Sequence, residues 1–315
     1  MKGVVQWIAD VALRPARASY DVNNTVTVVQ SAENHVYRRI PVTFKNSKSL
    51  TLYGSLWHDI DNETPTVCMI FLHSLGNNQF EALNLIPFLC TPDLAMFCFD
   101  FTGSGNSEGD FIPILCHGFE DVLAASNFIR SEFHITKIGL WGRSLGAAIG
   151  LNTVSASNNF FCFISDSAFS SIYDIVYDHA RKYGIPSFFM KFIEPLLIRE
   201  ARNVIGDEVD INYPLRDIPC ARVPLLMGHG KSDTFVPLAE GKAIFDKYGC
   251  QEKQFYIFCG KHNSPRPRQW YETAARFIYR HAGIRFPVRN YDSELRNSFL
   301  HVGDPERIIQ AITLI

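Results

Sequence analysis

The sequence predicts an α/β protein: a mostly parallel central sheet with helices on both faces and a small helical cap inserted after strand 6. Three observations predict it. From residue 66 onward, uninterrupted apolar runs alternate with amphipathic helical patterns, as strands covered on both faces require. The alternation stops between 170 and 217, where helical patterns follow one another with no strand between them. At 137–148 an apolar strand runs through Gly142-x-Ser144-x-Gly146 straight into small, helix-compatible residues.

In chain order, 25–29, 38–44 and 50–56 read as two or three strands pairing antiparallel at the sheet edge. The parallel part starts at 66–72 and is followed by a helix over 78–89. A strand over 94–101 leads through a Gly-rich turn to a helix over 119–129. The strand at 138–141 passes through Ser144 into a helix reaching about residue 156. Strands over 160–165, 223–227 and 255–258 complete the sheet, with helices over 238–248 and 268–281. Within 170–217, helical patterns at 172–182 and 187–203 flank the break Gly184-Ile185-Pro186. Their apolar residues, among them Phe188, Phe189, Phe192 and Leu196, exceed one core-facing stripe. Packing onto the sheet and lining an apolar substrate pocket both account for the excess. The chain reads as one domain over 1–315, with an N-terminal helix and edge strands over 1–55, a cap insertion over 170–217 and a tail over 283–315.

Composition excludes several classes. A hydrophobic share of 47% and a charged share of 20% are ordinary for a globular protein, and a net charge of -2 gives no reason to expect a nucleic-acid partner. No apolar stretch reaches the roughly 20 residues that cross a bilayer. The first thirteen residues are interrupted by Gln6 and Asp10 and followed by Arg14 and Arg17, which does not fit a signal peptide. A helix packed on the protein body is the favoured reading of this segment; peripheral membrane contact through it is the alternative. Eight cysteines without a Cys-x-x-Cys pair, four of them (Cys68, Cys98, Cys162, Cys259) in apolar strand-like runs, argue against a metal or a disulfide framework. The expected location is the reducing cytoplasm, with neither cofactor nor metal.

A strand that turns into a helix within so few residues forces the central residue into strained backbone and requires small neighbours two positions away on each side. Gly142 and Gly146 meet that need and leave the Ser144 hydroxyl exposed as a candidate nucleophile. A serine needs a base to take its proton, and the base needs an anion to hold its tautomer. His262 follows the last strand. Asp233 follows the one before it, in His229-Gly230-Lys231-Ser232-Asp233. Asp166, at the end of 160–165, is the rival acid, while Asp100 reads as organising the turn at 102–105. His281 and His301 end no strand. Backbone N–H groups for an oxyanion are expected from Leu145, after the nucleophile, and from Leu75 in the loop 73–78, which reads equally as a plain strand-to-helix connection.

Taken together, His73-Ser74-x-Gly76, Asp100-x-x-Gly103-x-Gly105-x-Ser107-x-Gly109, Gly142-x-Ser144-x-Gly146, His229-Gly230-x-x-Asp233-x-x-Val236-Pro237 and Gly260-x-His262-Asn263 resemble the α/β-hydrolase superfamily, most closely its serine aminopeptidase S33-like branch. The resemblance runs from about 55 to 282. A closer similarity, to a eukaryotic set of these hydrolases, rests on Leu13-Arg14-Pro15-x-Arg17-Ala18-x-Tyr20 and on His262-Asn263-Ser264-Pro265-Arg266-Pro267. It implies that Ser144 is nucleophile, Asp233 acid and His262 base. Ser74 stands where many relatives carry glycine, and Lys261 adds a charge beside His262. The expectation is a serine hydrolase acting on an ester, thioester or lipid acyl substrate. A serine peptidase of the same fold and a non-catalytic binding module are the alternatives.

Overall fold

The computed structural model describes residues 17–31, 35–112, 118–171 and 217–287, with isolated positions between 172 and 203. The expected N-terminal helix, the cap helices, Cys116, His301 and the tail from 288 lie outside the described residues.

Alternation of buried and exposed side chains marks the strands of one sheet edge, and continuous burial marks those of the centre. β1 (Val28–Gln30), β2 (Val36–Lys45) and β3 (Thr51–Asp59) pair antiparallel. β3 pairs antiparallel with β5 (Leu94–Phe99), and β5 runs parallel to β4 (Val67–Leu72). From β4 the sheet continues in parallel through β6 (Lys137–Arg143), β7 (Phe163–Asp166), β8 (Leu225–Gly230) and β9 (Lys253–Phe258). The nine strands stand in the order β1-β2-β3-β5-β4-β6-β7-β8-β9. Since all three N-terminal strands form, the strand preceding 170–217 is the seventh among the described residues.

Every residue of β4 and β5 is buried, and the period of two sends successive side chains to opposite cores. Cys68, Ile70 and Leu72 pack in the same core as Val122, Ala125 and Ile129 of α2 (Gly118–Glu132) and Ile149 and Leu151 of α3 (Leu145–Ala156), along with Ile244 of α4 (Leu238–Lys247). Met69 and Phe71 join Trp270, Ala274 and Ile278 of α5 (Arg268–Ala282) and the short α1 (Ile86–Leu89) in the other. Helices therefore cover both faces, as the alternating pattern predicts.

Three local expectations are corrected. The helix expected over 78–89 divides into a 3-10 turn, Gln79–Asn84, and α1, because Pro87 has no N–H to continue the ladder and is accommodated only in a first turn. The strand expected to reach residue 101 ends at Phe99, where the buried Asp100 carboxylate takes hydrogen bonds from the Gln79 N–H (2.7 Å) and the Asn106 N–H (3.1 Å). Cys259 is exposed, not within a strand; it follows the last residue of the edge strand β9. A short N-terminal stretch crosses these same loops. The Arg17 guanidinium donates to the Ser107 carbonyl (2.9 Å), Asn78 Nδ2 to the Ala18 carbonyl (2.7 Å) and the Tyr20 hydroxyl to Asp100 (2.7 Å).

Candidate active site

The turn between β6 and α3 is a strained elbow. Ser144 has φ 51° and ψ -111°, a region L-residues seldom occupy. A Cβ on Gly142 would lie 2.4 Å from the Gly146 carbonyl oxygen, and one on Gly146 would lie 2.0 Å from the Leu72 carbonyl oxygen. Both glycines are thus required by close backbone approach. The Ser144 N–H donates to the Asp166 carbonyl across the β6–β7 boundary (2.8 Å), which fixes the elbow against the sheet.

Loops at the C-terminal ends of β8 and β9 bring two further side chains to this hydroxyl. His262 Nε2 lies 2.9 Å from Ser144 Oγ, and His262 Nδ1 lies 2.7 Å from Asp233 Oδ2. With Nδ1–H donating to the carboxylate, Nε2 presents its lone pair to the hydroxyl. The other Asp233 oxygen accepts the Phe235 and Val236 N–H groups (2.9 and 2.8 Å), so the carboxylate is fully engaged. Burial pushes Asp233 upward, but the hydrogen bond and charge of His262, the Val236 N–H and His229 outweigh it and hold it below its ordinary value. The Asp233–His262–Ser144 chain is buried, the Ser144 hydroxyl included, where the sequence implied an exposed one. Phe235 is exposed and its ring centroid lies 4.9 Å from that of His262.

Asp166, the rival acid, is committed elsewhere. Arg266 Nε and an Arg266 terminal nitrogen reach its carboxylate at 2.9–3.1 Å, and the Ser167 hydroxyl adds a third partner at 3.0 Å. Burial raises Asp166, and Arg266, backed by Arg143, more than reverses that, so it stays ionised. Asp100 sits among the turn residues, as the sequence implies. Lys261 is exposed, while its neighbour His262 is buried.

Leu145 is the first residue of α3, so its N–H has no intrahelical acceptor. Leu75 lies exposed in the loop after β4, and the start of that loop meets the elbow, where the Leu72 and His73 carbonyls abut Gly146. His73 itself is buried, with Nδ1 2.8 Å from the Ser74 carbonyl and Nε2 accepting the Phe101 N–H (3.2 Å). Sequence reasoning assigned no role to Glu81, Arg143 or Phe235. The signal for Phe235 was present in the acid's own motif, two positions beyond Asp233. Among the described residues there is no group of His, Cys, Asp and Glu side chains fit to hold a metal, and no helix is long and apolar enough to cross a membrane.

The sheet order, with three antiparallel pairings at one edge and five parallel pairings beyond them, and a serine on the strand-to-helix elbow define the α/β-hydrolase fold. Solved and curated proteins agree with that class. The Pyrococcus furiosus esterase Pf2001 superposes with a TM-score of 0.63 at 17% identity, covering 78% of this chain and 91% of that one. The Homo sapiens protein ABHD12B is 22% identical over 199 residues, 60% of this chain and 52% of that protein. The Danio rerio lysophosphatidylserine lipase ABHD12 is 23% identical over 200 residues, 60% of this chain and 49% of that protein. The chain thus spans about half the length of the curated relatives it matches. No family model matches it.

Proposed function

We propose that the protein is a serine hydrolase that cleaves carboxylic esters of lipids or other small acyl compounds through an acyl-enzyme on Ser144. The observation that carries this reading is the unbroken hydrogen-bond chain Asp233–His262–Ser144 ending on a strained elbow. Ser144 Oγ attacks the carbonyl carbon as its proton passes to His262 Nε2. Asp233 stabilises the imidazolium, and the N–H groups of Leu75 and Leu145 hold the oxyanion. Collapse expels the alcohol, which takes the proton from His262. A water, activated by the same imidazole, then attacks the acyl carbon, releases the carboxylic acid and restores the serine.

An ester is favoured over a peptide by the exposed apolar side chains at the site, Phe235 and Leu75, and by the lipase and esterase names of the similar proteins. The finer S33-like assignment carries the alternative, an aminopeptidase of the same fold. Labelling with a fluorophosphonate tests the chemistry: wild type is expected to label and Ser144→Ala to stay silent. A silent wild type that still binds ligand would leave a binding module on a hydrolase fold. A panel of p-nitrophenyl esters against aminoacyl amides separates the substrate classes, and turnover of the amides alone would reverse the ranking.

A further inference from the structure

Glu81 lies in the 3-10 turn after the oxyanion loop, its side chain only 7% exposed, and makes bonds to two of the three loops that meet at the site. Its Oε2 accepts the Ser74 N–H at 2.7 Å and its Oε1 the Ser74 hydroxyl at 2.8 Å. The same Oε1 takes the Arg143 guanidinium at 2.5 Å, and the other end of that guanidinium lies 3.4 Å from Asn263 Oδ1. Each contacted residue is the sequence neighbour of a group in the proposed chemistry: Ser74 precedes Leu75, Arg143 precedes Ser144, and Asn263 follows His262.

From this we infer that the Glu81–Arg143 ion pair is a positioning device that registers the oxyanion loop against the nucleophile elbow and the histidine loop. The inference rests on the serine-hydrolase reading above and deepens it. A planar guanidinium suits the role because its fork can hold two acceptors in fixed directions. The carboxylate end is rigid as well. Asn78 caps the turn by accepting the Phe80 N–H at 2.9 Å, and the Gln79 N–H is held by Asp100 at 2.7 Å. Ser74 has a defined purpose in this arrangement. Its N–H is occupied by Glu81, which orients the peptide so that the next donor in line belongs to Leu75, and its hydroxyl adds the second bond that a glycine there could not make. Burial disfavours the Arg143 cation, but Glu81 and Asp166 more than offset that, so Arg143 stays charged.

Steady-state kinetics on a p-nitrophenyl ester, with inhibition by an alkylboronic acid, tests the device. The boronate forms a tetrahedral adduct on Ser144 and so reports the oxyanion site, which a purely structural role would leave unmoved. Glu81→Gln and Arg143→Ala are each expected to lower kcat about 10- to 100-fold with KM changed less than about threefold, and to weaken the boronate by a similar factor. The double variant should lose no more than the worse single one. Ser74→Ala, which keeps the N–H bond and the fold, should lower kcat about 3- to 10-fold. Wild-type kcat and boronate affinity in both Ser74→Ala and Glu81→Gln would overturn the inference. So would losses in all variants that track only the folded fraction. A wild type that neither labels with fluorophosphonate nor turns over esters would instead bring down the hydrolase reading, and this inference with it.

Discussion

Gly146 shows how little freedom the residues around the serine have. A methyl group there would stand 2.0 Å from the Leu72 carbonyl oxygen and 2.8 Å from that of His73, and both are backbone atoms that cannot swing aside. Gly146→Ala must therefore move α3 away from the end of β4 or open the elbow. We expect destabilisation of about 1–3 kcal/mol in urea unfolding, as for other overpacked sites, together with loss of fluorophosphonate labelling. Unchanged labelling would mean that the close approach is not needed to present Ser144. Ser144 itself occupies positive φ at a cost of order 1–3 kcal/mol, offset by its N–H bond to Asp166 and by the packing of α3. The elbow glycines were legible in the sequence for this reason: the steric demand is local and leaves only one residue type at each position.

At the scale of elements, legibility depended on whether a feature is local. Continuous apolar runs marked β4 and β5 throughout and the first residues of β7 and β8, because burial on both faces disfavours polar side chains. The order of Ser144, Asp233 and His262 followed from the strand ends. The Glu81–Arg143 pair was not legible, since its members are 62 residues apart and meet only because the sheet sets β4 next to β6. The clamp between Asp166 and Arg266 is of the same kind, spanning 100 residues. Arg266 also donates to the Ser264 carbonyl at 2.8 Å, so it ties the segment that follows His262 to the end of β7. Both side chains are almost fully buried, at 5% and 4% exposure, so removing one leaves an uncompensated charge. Arg266→Met is expected to cost about 3–5 kcal/mol in chemical denaturation. Adding Asp166→Asn should recover part of that loss; strictly additive losses would show that the two groups are not coupled.

For the molecule as a whole, His229 and His281 make stability depend on pH. His229 is fully buried at the end of β8, with Nε2 2.9 Å from the Val236 carbonyl and Nδ1 lacking a hydrogen-bond partner among the described residues. Burial lowers its pKa against the opposing pull of the Val236 carbonyl, Asp233 and Asp166, with His262 adding to the depression. His281, in the last turn of α5, is also lowered by burial in spite of Glu252. The unfolded chain takes up these protons near pH 6.5 while the folded chain resists until lower pH. The unfolded state therefore binds more protons in that interval, so the contribution of these groups is complete above about pH 6.5 and is lost as pH falls toward the folded values. Asp166 and Asp233, also depressed, contribute in the same sense but only below the ordinary aspartate value of about 3.9. Between about pH 7.5 and 5 the histidines thus control the slope through their lowered values. His229→Gln keeps a donor for the Val236 carbonyl and removes the titration, so its urea midpoint should fall less steeply than wild type over that interval. Because each variant is read against wild type at the same pH, the remaining titrating groups cancel. Parallel curves, with only a constant offset, would show that the pKa of His229 does not change on folding.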